Sequence, residues 1–358
     1  MNRIKQILRV PWIGAIAAIL LLLVIDLAKD PTYLSVTYNS TLGNLVGNVI
    51  DILRAAAPVL MISIGMLLVI ATAGIDLSVG SVMAASGAAA MQFLSSAAHP
   101  ESLGTAMTAL ALALHLGTAL GTISGLLVTV VGLQPFISTL VMMLGARGLA
   151  KVITNGQNAR AVSAPFRFIA NGYIFGFPVV FLIAVAVVLL IALMCRRTAL
   201  GMMIEAVGLN PRASRLAGLR ARGLILITYT ISGLLAAIAG VFATASVMVV
   251  DVSNTGYLME MDAILAVVIG GTSLAGGKFS IGGAAAGALL IATLDKTVTF
   301  VGISSSATPA FKAVVIIALC LLQSQRVRTW LAGMRSRRGP ASAAPAGPAG
   351  IEPKGVAA

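Results

Sequence analysis

Ten apolar runs, each near the length that crosses a bilayer, fix what this chain can become. They fall at residues 10–27, 56–74, 79–98, 104–132, 135–154, 177–195, 223–250, 263–276, 280–301 and 307–323. About 20 mostly apolar residues in a helix cross about 30 Å of hydrocarbon. Within lipid every backbone N–H and C=O must find a partner inside the protein, so long unbroken runs are helical. The expected fold is therefore all-α and integral to the membrane, a polytopic bundle of about ten transmembrane helices. The charge content agrees: 10% of residues are Asp, Glu, Lys or Arg and the mean hydropathy is +1.02, against roughly 25% charged residues in a soluble domain. A soluble enzyme, a nucleic-acid-binding domain and a disordered chain are all excluded. The first run follows Arg3, Lys5 and Arg9 and has the outline of a signal peptide. No small-residue cleavage site follows it, so it is expected as the first span. The segment from Thr41 to Ala55 carries Asn44, Asn48, Asp51 and Arg54; it either leads into the second span as an amphipathic turn or extends it.

The net charge of +13 is topological. Fifteen of the 24 basic residues lie before the first run, between residues 196 and 222, or after the last run. Ten spans put these three segments on one side, and an excess of Lys and Arg marks that side as cytoplasmic. The segment 251–262 falls on the other side and holds Asp251, Glu260 and Asp262 with no base. Arg160 and Arg167 go against the rule, since they fall on the outer side. Basic residues interleaved with aromatics on a soluble face are absent, so nucleic acid is not an expected partner. Contact with anionic membrane lipid is expected as a secondary effect. Cys195 and Cys320 sit in apolar runs, and His99 and His115 are too few for a recognisable metal site.

Small residues let membrane helices approach closely, and Gly80 to Ala90 is the densest stretch of them. A less common pattern occurs twice. Val69–Gly80 and Val268–Phe279 each join an apolar run to a small-residue helix through a polar break rich in glycine. Paired interrupted helices point to a transport pathway between two halves. The breaks at Gly74–Gly80 and Gly270–Gly277 are expected to be non-helical and to border that pathway, with Asp76, Ser78, Gln134, Asp262, Thr272 and Ser273 as candidate lining residues. Asp76 has two readings, a cap for the following helix or a direct contact with substrate. Asp295 and Lys296, adjacent near a helix end, are expected to snorkel to the interface. Gly276-Gly277-Lys278 has the ending of a phosphate-binding loop, but Thr272 and Phe279 stand where that motif needs Gly and Ser or Thr. No nucleotide-binding domain is present, so any ATP is bound by another subunit.

The segment 198–218 holds the sharpest local signal. Asn210 followed by Pro211 reads as an N-cap and first helical position, and Gly218 suits the position after a helix end. A short helix over Asn210–Ala217 is expected. So short a helix is marginal alone and is stabilised by docking on something. Gly208 is expected to form a turn before it.

Gly74-Ile-Asp-Leu-Ser-Val-Gly-Ser81, Gln134-Pro-Phe-Ile-Ser-Thr-Leu140, the run from Glu205 through Asn210, Pro211 and Arg212 to Ala217, Asp262–Gly271, Lys312–Val315 and Gln323–Arg326 occur in that order. Together they resemble the signatures of sugar ABC-importer permeases of the ribose and galactofuranose class, and within it the galactofuranose branch. The resemblance covers roughly residues 50–330. It implies a permease domain over 1–338; the Ala/Pro-rich cytoplasmic tail over 339–358 departs from the family, and its composition cannot bury a core, so it is expected to be disordered. The resemblance implies a bacterial inner-membrane subunit, both termini cytoplasmic, that imports galactofuranose or a related monosaccharide. The chain would pair with a second permease, the same or related. An ABC ATPase subunit would carry ATP and Mg, with no cofactor on this chain and no catalytic residue in it. A periplasmic sugar-binding protein would deliver the sugar. Glu205, Gly208, Asn210, Pro211, Arg212 and Ala213 would form the coupling element to the ATPase. The competing reading is an ion-coupled secondary sugar transporter, which calls for carboxylate or His relays inside the membrane. An enzyme acting within the membrane is a third class, and no nucleophile or metal constellation supports it.

Overall fold

The computed structural model describes residues 13–39, 43–304 and 307–323. The basic N-terminus before residue 13, the basic segment from 324 and the Ala/Pro-rich tail lie outside the described residues, as do both termini. The helices in chain order are α1 (Ile13–Lys29), α2 (Asn48–Ala71), α3 (Val79–Ser96), α4 (Leu103–Leu126), α5 (Pro135–Ile153), α6 (Ala164–Asn171), α7 (Val179–Arg197), α8 (Ala199–Leu209), α9 (Pro211–Leu216), α10 (Ala221–Val247), α11 (Met259–Ile269), α12 (Ile281–Val301) and α13 (Thr308–Gln323). A π turn, Leu127–Val131, extends α4 and ends on left-handed Gly132.

Among the described residues, six helices are long and apolar enough to cross a membrane: α2, α4 with its π turn, α5, α7, α10 and α12. Ten full spans are expected from the sequence. Of the other four runs, 79–98 is helical over Val79–Ser96 and 263–276 as far as Ile269, while 10–27 and 307–323 are helical over Ile13–Lys29 and Thr308–Gln323, at the edges of the described residues. The run 263–276 ends as a helix at Ile269, because the paired glycines Gly270 and Gly271 stop it. The segment before the second span resolves in favour of extension, since α2 starts at Asn48.

α2 is the axis of the bundle. Of its apolar window 78% is buried, against 22% for α5 and α7. Peripheral α7 turns Leu189, Leu190 and Leu193 outward, as lipid-facing surface requires. The centre is instead made of small residues. Gly121 of α4 meets the backbone of Gly233 in α10, where a Cβ on either would overlap main-chain atoms of the other helix. Lipid offers no hydrophobic drive for helix association, so close backbone packing of this kind supplies it.

Three two-stranded ribbons cap the helices: β1 (Thr37–Asn39) with β2 (Asn44–Val46), β3 (Ala159–Arg160) with β6 (Val249–Val250), and β4 (Tyr173–Ile174) with β5 (Phe177–Pro178). Pairing of Arg160 with Val249 keeps Arg160 at the same end as the 251–258 turn, so its exception to the charge rule stands. Asp295 and Lys296 are paired, contrary to the expectation of free snorkelling. Lys312 Nζ lies 2.9 Å from both Asp262 and Asp295, and Lys296 Nζ lies 2.7 Å from Asp51. The first pairing ties α11, α12 and α13 together.

Candidate functional site

Both expected breaks are present, but the first is shorter than expected, because Val79 and Gly80 already belong to α3. Residues 72–78 separate α2 from α3, and residues 270–280 separate α11 from α12. Asp76 in the first break is 1% exposed. Its Oδ1 accepts from the Ser78 N–H at 3.0 Å and the Ser78 hydroxyl at 2.6 Å, and its Oδ2 accepts from the Ser232 hydroxyl of α10 at 2.8 Å. Asp76 is thus neither the N-cap of α3, which is Ser78, nor open to a cavity. It closes an Asx turn and fastens the break to α10. Two further hydroxyls donate to the Ile75 carbonyl, Thr139 of α5 at 3.2 Å and Tyr229 of α10 at 3.5 Å. A buried polar backbone needs such partners.

The two breaks touch each other. The Gly277 N–H donates to the Ala71 carbonyl at 2.9 Å, and Gly276, at φ +86°, packs against Ala73. The basic segment arrives at the same point. Gly208 rests its Cα on this pair so closely that a Cβ would overlap both the Ala71 oxygen and the Gly277 nitrogen. One residue of the segment after α7 therefore bears on both breaks at once.

α8 carries Gly208. The sequence reading treats residues 199–209 as loop with a turn at Gly208; they form a helix instead, and Gly208 lies in its last turn. The glycine is required by backbone contact, not by a positive φ. Thr198 starts the helix by accepting from the Leu200 N–H at 3.2 Å. Gly201, Ile204, Val207 and Gly208 are its buried positions, spaced three and four apart as one helical face requires.

α9 follows as expected. The Asn210 side chain accepts from the N–H groups of Arg212 and Ala213, each at 3.0 Å, and Pro211 takes the first helical position. At the other end Gly218 is left-handed at φ +85°. Its N–H bonds the Arg215 carbonyl and that of Leu219 bonds Ser214, both at 3.0 Å, which is the Schellman pattern of a helix stop. Leu216 on this short helix is 91% exposed. Glu205 and Arg212 form no salt bridge among the described residues.

The structure separates the candidate lining residues. Asp76 and Ser78 bond each other and α10. Asp262 is held by Lys312. Thr272 is buried and accepts from the Ser280 N–H at 3.3 Å. Ser273 is exposed and accepts from the Ala275 N–H at 3.2 Å. Gln134 is exposed before Pro135, at the start of α5. Sequence reasoning missed Thr139, Tyr229 and Ser232, which hold the first break; hydroxyls inside apolar helices are too common to single out. No group of His, Cys, Asp and Glu able to hold a metal occurs among the described residues.

Residues 48–322 match the family described as "Branched-chain amino acid transport system / permease component". The chain is 50% identical to the fructose import permease protein of Bifidobacterium longum (strain NCC 2705), over 94% of each chain. It is 41% identical to the galactofuranose transporter permease protein of Escherichia coli (strain K12), over 90% of this chain and 92% of that one. It is 38% identical to the ribose import permease protein of the same strain, over 78% and 87%. No solved structure matches the chain.

Proposed function

We propose a function from one premise: the chain belongs to the family of branched-chain amino acid transport system permease components. It is a multi-pass membrane protein and the permease component of an importer, not an enzyme. We infer that it takes up a monosaccharide in an ATP-driven ABC importer. The permease relatives named above are described by sugars, over most of their length and this one's, and that favours a sugar over the amino acid of the family description. Galactofuranose, fructose and ribose can all close as five-membered rings, so a furanose-form sugar is the substrate class.

A separate ABC ATPase subunit binds ATP and Mg in this reading, a periplasmic binding protein delivers the sugar, and a second permease chain completes the membrane unit. The setting is the bacterial inner membrane with both termini cytoplasmic. The observation that carries the reading is the junction at Gly208. A capped helix of six residues with Leu216 outward offers an ATPase groove something to hold, and the helix before it bears on both breaks. Motion of the ATPase then reaches the pathway through α9, α8 and Gly208. Glu205, Asn210, Pro211, Arg212 and Ala213 belong to that contact, and Asp76, Ser78, Gln134, Asp262, Thr272 and Ser273 to the walls and supports of the pathway. An ion-coupled transporter is less well supported, because the matching family is a permease component of a transport system and the relatives named above are import or transporter permeases, and because Asp51, Asp262 and Asp295 are each paired with a lysine.

Co-purification with the ATPase, followed by ATP hydrolysis in the presence of the loaded binding protein, tests this. Stimulation by a sugar from a panel of fructose, galactofuranose and ribose is expected. Stimulation by leucine alone would overturn the sugar assignment, and failure to associate with any ATPase would overturn the importer.

A further inference from the structure

One cavity stands apart from the junction. It has a volume of about 400 Å³ and lies between α3, α5 and the turn that leads into α11, with Ser81, Arg147, Lys151, Ser253, Tyr257 and Glu260 in its lining. Its size is that of a small-ligand pocket, and such pockets bring a few polar groups together on an apolar wall. Here the wall is Met143, Leu144 and Leu258.

The polar groups are held in place. Arg147 Nη1 donates to the carbonyls of Val252 at 3.1 Å and Thr255 at 2.6 Å, pinning the turn to α5. Asp251 stiffens the same turn by accepting from the N–H groups of Ser253 and Asn254 at 3.0 and 3.1 Å and from the Asn254 side chain at 2.8 Å. Leu258, at φ +60°, sits in a left-handed conformation that costs a non-glycine residue about 1–3 kcal/mol, where the turn enters α11. Glu260 in the first turn of that helix is 9% exposed. Its carboxylate fills the space a Cβ on Gly80 would take. Arg147 and Glu260 line the same cavity but form no salt bridge. Tyr257 is 65% exposed and also lines a second cavity of about 420 Å³ with Asp262 and Lys312.

We propose that the Arg147–Glu260 cavity is a sugar-contacting station on the translocation path, with Glu260 accepting from sugar hydroxyls and the Tyr257 ring lying against the apolar face of the sugar. This rests on the importer reading above. The chemistry suits a neutral polyol: a carboxylate accepts from several hydroxyls at once, and an aromatic ring with a polar tip serves C–H and O–H groups together. The Arg147 guanidinium is spent on two backbone carbonyls and acts on Glu260 only at longer range, so the carboxylate keeps capacity to accept from a ligand. Tyr257, shared by two cavities, stands where a sugar passes from one to the other.

The test uses the full importer in liposomes, with its ATPase and binding protein, and the radiolabelled sugar that stimulates wild-type ATP hydrolysis. Glu260→Gln and Tyr257→Ala are each expected to lower maximal uptake roughly tenfold, with the ATPase subunit still co-purifying. Uptake by both variants at the wild-type rate overturns the site while leaving the importer reading intact. Should Glu260→Gln fail to insert, Tyr257→Ala decides alone, since its ring is mostly exposed. A wild-type complex that hydrolyses no ATP in response to any sugar overturns the importer reading and this one with it.

Discussion

The two breaks look alike in sequence and are built differently. Each follows an apolar helix, is rich in glycine and precedes a small-residue helix. In the first, all of residues 72–78 except Ala73 are buried or half-buried, and side chains from α5 and α10 hold it. In the second, Gly271, Ser273, Leu274, Ala275 and Lys278 are exposed, with Leu274 at 46%. Its side-chain bonds are local, from Ser280 to Thr272 and from Ala275 to Ser273. The first break is an anchored turn; the second is fixed at Gly276 and Gly277 and open elsewhere. A repeat in sequence therefore sets the backbone pattern without setting how firmly each copy is held. That depends on which polar side chains distant helices present.

The substitution with the largest expected effect strikes both breaks together. Gly208→Val places two methyl groups and a Cβ into main-chain atoms that cannot rotate away, at the upper end of or beyond the ~1–3 kcal/mol cost of overpacking. Sugar-stimulated ATP hydrolysis and uptake should both be lost, and normal rates would remove the junction from the coupling path. Asp76→Ala is next and separates the breaks. It leaves the Ser78 N–H and two hydroxyls without an acceptor in a buried site, at a cost of about 3 kcal/mol. Thermal unfolding of the purified protein should show it, and Asp76→Asn, which keeps one oxygen, should recover most of the loss. Asn210→Ala removes two hydrogen bonds at the start of α9 and should cost about 1 kcal/mol. Weaker retention of the ATPase subunit measures it. Ser273→Ala in the second break should change stability by less than about 0.5 kcal/mol. A loss as large as that of Asp76→Ala would erase the contrast between the two breaks.

The local parts of this site were legible from neighbouring residues. Asn210-Pro211 and Gly218 bracket α9 because capping is settled within a few residues, and the glycine pairs stop α11 for the same reason. Long-range parts were not legible. Nothing near Gly208 in sequence says that it meets Ala71 and Gly277, and a glycine before a helix reads more naturally as a turn. Asp262 reads as a lone carboxylate in the sequence, and nothing near it tells that Lys312, fifty positions away, pairs with it. Arg147 and Glu260 belong to different helices, and neither stands out without the turn that Arg147 pins. Apolarity alone does not distinguish a full crossing from a half-helix such as α11, which ends at Ile269.

The contact at Gly208 has a mechanical consequence. A linkage loses motion to backlash wherever one part can give before the next is moved, and in proteins the usual source of such give is a side chain with several rotamers. Gly208 has no side chain, and it bears on a carbonyl and an amide already joined by a 2.9 Å hydrogen bond. In the proposed coupling, input and output therefore meet backbone to backbone, and a displacement of α8 toward the bundle would meet the ends of both interrupted helices without side-chain slack.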